Sequence, residues 1–222
     1  MSHEANVILV AAGGGNRFGS EKQFEMLGGI PLYQHSLNTF ANHPRIGRIA
    51  LVVSAKNSTR IESEIAAHPA RSRITLISGG ETRQESVSNG LAIFAKADEY
   101  SIILVHDAAR PFLSSKLISE IIVASELHGA AIAAIPVVDS LKKANDGFVN
   151  SSISRENLWR AQTPQAASAK MLRDAFQQAE IDGFTGTDES QLMERIGVNP
   201  YIVRGEEKNI KITHRADLEV TR

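Results

Sequence analysis

Several short stretches of this chain gather the residue types that handle phosphates. The first, Ala11-Ala12-Gly13-Gly14-Gly15-Asn16-Arg17-Phe18-Gly19, follows the apolar run Val7 to Val10, and Lys22 comes just after it. Glycines let backbone N–H groups approach phosphate oxygens with no Cβ in the way. The loop does not end in the Gly-Lys-Ser/Thr of a Walker A loop. Gly13 and Gly15 satisfy part of a dinucleotide fingerprint, but Phe18 stands at its third glycine position. The cations Arg17 and Lys22 are what set the loop apart, because a triphosphate must be screened before a nucleophile can approach it. Without them it would read as a tight strand-to-helix turn.

Gly79-Gly80-Glu81-Thr82-Arg83-Gln84-Glu85-Ser86 offers a second close-approach loop, in which Ser86 is placed to hydrogen-bond a base or ribose and Thr82 to cap the next helix. His106-Asp107-Ala108-Ala109-Arg110-Pro111 supplies a carboxylate, Asp107, of the kind that holds Mg²⁺ directly or through water together with substrate phosphates. His106 has no serine placed as its partner, which points to a structural role. Asp139-Ser140, Arg155 and Gln162-Thr163-Pro164-Gln165 could hold a second anion through one arginine fork and neutral donors. Lys211, in Asn209-Ile210-Lys211-Ile212-Thr213, gains significance only in company, since a strand lysine usually faces solvent. Trp159, the only tryptophan, reads as a packing residue.

These stretches sit at the ends of elements that the hydrophobic pattern predicts. Short, branched apolar runs at 7–10, 49–53, 74–77, 102–105 and 130–135 alternate with helical periodicity at 31–40, 58–68, 85–95 and 114–128. Strands apolar along their whole length predict a parallel sheet covered on both faces, with ligands beyond the carboxyl ends of its strands. The rhythm breaks after Pro136. Residues 136–160 read as an excursion from the sheet, with an Asn145-Asp146-Gly147 hairpin turn between Leu141 and Phe148. Helical pattern returns at 169–179 and 189–196, followed by strands at 201–203 and 210–212 and a terminal helix at 215–220.

Composition narrows the functional class. A length of 222 residues suits a single domain, here 1–222 with the excursion included. The chain has no cysteine, which excludes a disulfide framework, a thiolate nucleophile and a cysteine zinc site. A net charge of -1 argues against a nucleic-acid binder. The start of the chain has neither the layout of a signal peptide nor a membrane-length apolar run, so the expected location is cytoplasmic, away from membranes.

Taken together, these motifs resemble the 2-C-methyl-D-erythritol 4-phosphate cytidylyltransferase family of non-mevalonate isoprenoid synthesis. The resemblance runs from Val7 to Leu218 and also rests on Leu158-Trp159 and Thr187-Asp188-Glu189. It implies a Rossmann-like nucleotidyltransferase fold and a homodimer joined by the 136–160 arm. It implies a CTP site built on Ala11, Ala12, Gly13, Arg17, Lys22, Gly80, Glu81 and Ser86, with Asp107 serving Mg²⁺ or another divalent cation and the reacting phosphates. Arg17, Lys22, Lys211 and Asp107 would be the catalytic set. Methylerythritol phosphate would be held by Ser140, Arg110 and Lys211, with Arg155 and Thr163 reaching over from the partner subunit.

The chain departs from the pattern at Glu21, where relatives often have proline, at Ser140, often threonine, and at Lys208, often acidic. Some relatives continue into a cyclodiphosphate synthase, so the chain reads either as a monofunctional enzyme or as half of a fusion. Rival readings are a cytidylyltransferase for another alditol phosphate, such as ribitol 5-phosphate, and a non-catalytic nucleotide-binding module. The expected chemistry is attack of the acceptor phosphate on the α-phosphorus of CTP. A phosphate monoester is mostly ionised at neutral pH, with a second pKa of ~6, so no general base is required.

Overall fold

The computed structural model describes residues 4–13, 18–19, 21–96 and 99–219. Its centre is a seven-stranded sheet built from β1 (Ala5–Val10), β4 (Ile46–Val53), β5 (Ile74–Ser78), β6 (Ile102–Asp107), β7 (Ala130–Pro136), β10 (Trp159–Ser168) and β11 (Tyr201–Arg204). Two short pairs complete the strands: β2 (Met26–Leu27) with β3 (Ile30–Pro31), and β8 (Leu141–Asn145) with β9 (Phe148–Ile153). The sheet order is β11-β7-β10-β6-β1-β4-β5. β1 pairs in parallel with both β4 and β6, β4 with β5, and β7 with β11. β10 runs antiparallel to both β6 and β7. The sheet is therefore mostly parallel, as expected, with one reversed strand that the hydrophobic rhythm did not reveal.

Helices cover both faces: α1 (Leu32–Ala41), α2 (Ser58–Ile65), α3 (Arg83–Ala92), α4 (Ser115–His128), α5 (Ala169–Ile181) and α6 (Glu189–Arg195), with α7 (Arg215–Glu219) near the end. Strand alternation divides the core between the faces. Val7, Leu9, Leu51 and Leu104 point toward Leu37, Phe40, Ile61 and Ile121, whereas Ile8, Val52, Ile103 and Val105 point toward Leu91, Leu172 and Phe176. Successive residues serve opposite faces, which is why these strands are apolar throughout. A smaller cluster of Phe18, Leu27, Leu32, Ile212 and Leu218 joins the end of the glycine loop to the last segment of the chain.

Gly90 lets α3 lie close on the sheet, since a Cβ there would stand 2.6 Å from Ile8 Cγ2 and 3.0 Å from Val52 Cγ2. That approach fixes the height of the α3 N-terminus over the strand ends. The expected hairpin is present, and its turn carries Asp146 and Gly147 at positive φ. It covers less than the expected excursion, because Trp159, Arg160 and Ala161 rejoin the sheet opposite Pro136, Ile135 and Ala134. Trp159 packs less than expected, at 40% exposed. Residues 210–212 are not a strand. They form an irregular span anchored by the Ile212 N–H on the Ala109 carbonyl at 2.8 Å. Among the described residues no helix is long and apolar enough to cross a membrane.

Candidate active site

β1 and β6 lie side by side with Val10 opposite Asp107, so the glycine loop and the His106–Pro111 turn leave the sheet at the same edge. From β1 the chain continues outward to β4 and β5, and β6 returns on the other side of β1. That reversal creates a crevice at the carboxyl ends of the strands, the usual ligand position in such sheets. The turn after β5 closes over the same crevice. A Cβ at Gly79 would come within 2.4 Å of the Ala12 Cβ and 2.9 Å of Ser86 Oγ, so only glycine allows the two loops to meet.

A cavity of about 390 Å³ fills this crevice, lined by Ala11, Ala12, Gly13, Lys22, Gly80, Glu81, Ser86, Asp107 and Lys211, among others. Nearly all the residues expected at the nucleotide site are thus brought together. Arg17 lies outside the described residues. Lys22 Nζ donates to the Ile212 carbonyl at 2.8 Å, which ties the glycine-loop side of the cavity to the late segment carrying Lys211. Ser86 is buried, with its hydroxyl accepting from the Gly80 N–H at 3.1 Å and donating to the Thr82 carbonyl at 2.9 Å. Ser86 therefore shapes the loop as well as facing the cavity. Thr82 caps α3 through a reciprocal box with Glu85, as expected of it.

A second cavity of about 250 Å³ adjoins the first and is lined by Arg110, Gln162, Thr163, Gln165, Thr187 and Asp188, among others. Arg83, Asp107 and Lys211 line both cavities and mark the boundary between them. Asp107 Oδ1 accepts from Arg83 Nε at 2.9 Å, and Oδ2 accepts from Lys211 Nζ at 2.6 Å. The two remaining arms of the Arg83 guanidinium donate to Glu189 at 2.7 and 3.0 Å. Burial alone would raise the Asp107 pKa, but Arg83 and then Lys211 hold it well below the usual carboxylate range. Burial opposes the charge on Arg83 as well, yet Glu189 and Asp107 keep that guanidinium more firmly protonated than usual.

Arg110 is buried at 9% exposure, with Nη1 on the Asn209 carbonyl at 2.8 Å and no partner for Nε among the described residues. A guanidinium buried on a cavity wall is equipped for an anion. Burial draws its pKa down, an effect that a bound anion would oppose.

His106 lies beneath this surface and lines neither cavity. It is fully buried against Phe40, bonded through Nδ1 to Thr163 Oγ1 at 3.0 Å, and burial pushes its pKa down to about 3. It is neutral at physiological pH and serves structure, as the sequence suggested.

The resemblance implied that Thr163 would reach over from a partner subunit, and here the structure corrects it. Thr163 sits in β10 inside its own subunit, 4% exposed, with its hydroxyl accepting from the Asp107 N–H at 3.1 Å. The antiparallel entry of β10 beside β6 puts it there. Ser140 and Arg155 are exposed on or beside the arm and line neither cavity of their own chain. Arg155 donates instead to the Val138 carbonyl of the same arm. Lys211 belongs to the site without belonging to a strand.

Sequence reasoning gave Arg83 and Glu189 no role, although both lie within motifs that carry the resemblance. A local signal existed: Arg83 follows a helix cap at a ligand-facing turn, where an arginine has anions within reach. Among the described residues no group of three or more His, Cys, Asp or Glu side chains is placed to hold a metal. Mg²⁺ at a nucleotide site needs only one or two carboxylates plus substrate phosphates, and each Asp107 oxygen retains acceptor capacity beyond its one cation. The donor set at Asp107 therefore fits such an ion.

Comparisons with known proteins agree with this geometry. The family model for 2-C-methyl-D-erythritol 4-phosphate cytidylyltransferase matches residues 5–222. The protein of that name from Geobacillus kaustophilus is 42% identical over 220 residues, covering 98% of this chain and 94% of the relative. The crystal structure of the Francisella tularensis 2-C-methyl-D-erythritol 4-phosphate cytidylyltransferase aligns with a TM-score of 0.83 at 30% identity, covering 98% of this chain and 97% of the other. The bifunctional IspDF of Campylobacter jejuni aligns with a TM-score of 0.81 at 28% identity, over 97% of this chain and 53% of that one.

Proposed function

This chain belongs to the 2-C-methyl-D-erythritol 4-phosphate cytidylyltransferase family, and we infer from that membership that it transfers CMP from CTP to 2-C-methyl-D-erythritol 4-phosphate, releasing pyrophosphate. The observation that carries the site assignment is the pair of adjoining cavities with Arg83, Asp107 and Lys211 on the wall common to both. Transfer between two phosphates needs two anion sites that meet at one reacting centre.

We propose that CTP occupies the larger cavity, cradled by Ala11, Ala12, Gly13, Gly80, Glu81 and Ser86, with Arg17 and Lys22 on the triphosphate. The acceptor phosphate occupies the smaller cavity against Arg110 and Lys211, near Thr163. Its oxygen attacks the α-phosphorus as the bond to the pyrophosphate oxygen breaks. The barrier is repulsion between anions, so the work of the protein is alignment and cation placement. Lys211 suits this task because it is already held at the boundary by Asp107 and can redistribute its donors to a phosphate arriving from either side. His106 cannot act as a base, being neutral but sealed beneath the site, and the ionised acceptor phosphate needs none.

Asp107, together with the substrate phosphates, would hold Mg²⁺ or another divalent cation. When bound, that ion neutralises phosphate charge.

The whole chain is read as one domain with the arm as its dimerisation element. Val138, Phe148, Val149 and Ile153 are exposed on and beside the arm, which supports burial against a second copy. Arg155 and Ser140 would then serve the partner subunit's acceptor site. The deciding experiment is pyrophosphate release from CTP with methylerythritol phosphate or ribitol 5-phosphate as acceptor. The expected result is turnover with methylerythritol phosphate in clear preference; release only with ribitol 5-phosphate, or with neither, would overturn the reading.

A further inference from the structure

Glu189 is a carboxylate with no assigned part in the reaction. It opens α6, its side chain is 1% exposed, and it lines neither cavity, so it touches neither substrate. Burying a carboxylate is costly unless it is paired and hydrogen-bonded. Among the described residues Glu189 is paired once: both of its oxygens accept from Arg83.

The geometry of that pair determines what Arg83 can do. A guanidinium presents its donors in a rigid plane, and a bidentate carboxylate fixes the plane. With Nη1 and Nη2 taken by Glu189, the Nε–H is aimed at Asp107 Oδ1 at 2.9 Å. The charge consequence is as direct. Arg83 lines the cavity that receives a triphosphate, and without Glu189 it would be a further cation competing for phosphate oxygens. Glu189 neutralises it and leaves Lys211 as the more exposed cation at the boundary.

We propose that Glu189 is a positioning residue for CMP transfer, acting through Arg83 to hold the Asp107 carboxylate at the boundary between the nucleotide and acceptor cavities. A purely mechanical role, fastening α6 to α3, is already filled next door. Gln84 donates to the Phe184 carbonyl at 3.0 Å and accepts from the Gly186 N–H at 2.8 Å, clasping the loop that leads to α6 without any charge. An ion pair beside a neutral clasp points to electrostatic positioning.

This inference rests on Asp107 serving the reaction, and Asp107→Asn in the same assay tests that premise separately. Glu189→Gln keeps the shape of the side chain and removes its charge. The expected result is a kcat for pyrophosphate release lower by about 10–100-fold, with KM for CTP within about threefold. In the Asp107→Asn background the same substitution should change kcat by less than about threefold, because the carboxylate being oriented has lost its charge. Gln84→Ala should lower the thermal midpoint while leaving kcat within about twofold.

A parental kcat for folded Glu189→Gln would overturn the proposal. So would an equal loss with and without Asp107, or an equal loss of kcat in Gln84→Ala. If Glu189→Gln does not fold, Glu189→Asp, which keeps the charge but withdraws it from Arg83, is judged by the same criteria. Parental turnover in Asp107→Asn would refute the site assignment itself, whatever Glu189 does.

Discussion

Asp107 and Lys211, 104 positions apart in the chain, meet at 2.6 Å on the wall between two cavities. Asp107 ends a buried strand, and Lys211 sits on an irregular segment held by the Ile212–Ala109 hydrogen bond. The contact joins a largely buried carboxylate to a more accessible cation, since the Lys211 side chain is 34% exposed and that of Asp107 10%. A cation held this way is in place before substrate arrives, so little reorganisation is needed during the reaction.

Lys211→Met removes this charge while preserving most of the stem. Turnover should fall by roughly 10²–10³, as when one preorganised electrostatic donor is lost, with the fold retained. Steady-state pyrophosphate release and a circular-dichroism melt measure the two quantities. Unchanged kcat/KM in a folded variant would remove Lys211 from the mechanism.

The opening loop gives a parallel expectation. Arg17→Ala and Lys22→Ala should each cripple turnover, again by roughly 10²–10³, because in the proposed site each withdraws a cation from the triphosphate. Lys22→Ala should also loosen the late segment, since it deletes the 2.8 Å bond to the Ile212 carbonyl. That loss should cost about 1 kcal/mol of stability in denaturant unfolding. Normal pyrophosphate release by both variants would sink the triphosphate assignment.

Arg155 lines neither of the two cavities of its own chain described above, which motivates a complementation experiment. If the arm joins two copies as proposed, mixing two inactive variants, one carrying Arg155→Ala and the other Lys211→Met, should restore activity through hybrid dimers. One shared site in each hybrid would contain both wild-type residues. No recovery, with subunit exchange demonstrated by mass spectrometry, would count against a site completed by the arm.

The buried histidine sets a pH dependence of stability. The pKa of His106 is held down to about 3 by burial, against 6.5 for an exposed imidazole. Between these values the unfolded chain binds a proton that the native chain refuses, so stability falls as pH drops from 6.5 toward 3. The slope from this group is at most about 1.4 kcal/mol per pH unit. His43 and His68, also pushed down by burial, add to the loss. Asp107, whose folded pKa is depressed, adds its own loss only below its ordinary value of 3.8. Urea unfolding at pH 7 and pH 5 should show a smaller difference for His106→Asn than for the parent. An identical difference would mean that His106 titrates normally in the native state.

The strands of the sheet were legible wherever burial on both faces forces continuous apolar sequence. β1, β4, β5, β6 and β7 all appear where the pattern places them, within a few residues at their ends. β10 was missed because its centre reads Gln162-Thr163-Pro164-Gln165, and proline with polar neighbours normally argues against a central strand. The pairing register shifts between Ala161 and Gln165, which accommodates that stretch within the sheet. Gln162 and Gln165 are satisfied there by distant partners, including Glu206, Asp188 and Ser190. Nothing in the local sequence announces those partners.

The same division holds for the site. By itself the sequence determined which loops face the ligand, because chain direction and strand burial place the glycine loop, the Gly79–Ser86 turn and the His106–Pro111 turn at one edge. It also determined the family, through motifs in order over nearly the whole chain. Only the tertiary structure decided what each charge does. Arg83 and Glu189 are 106 positions apart, and Asp107 stands between Arg83 and Lys211 only once β6, α3, α6 and the late segment have packed. Hydrophobic periodicity is a local property that survives in the linear sequence. The partner of a buried charge is set by long-range packing, and the low dielectric of the interior then gives that partner its control over charge and geometry.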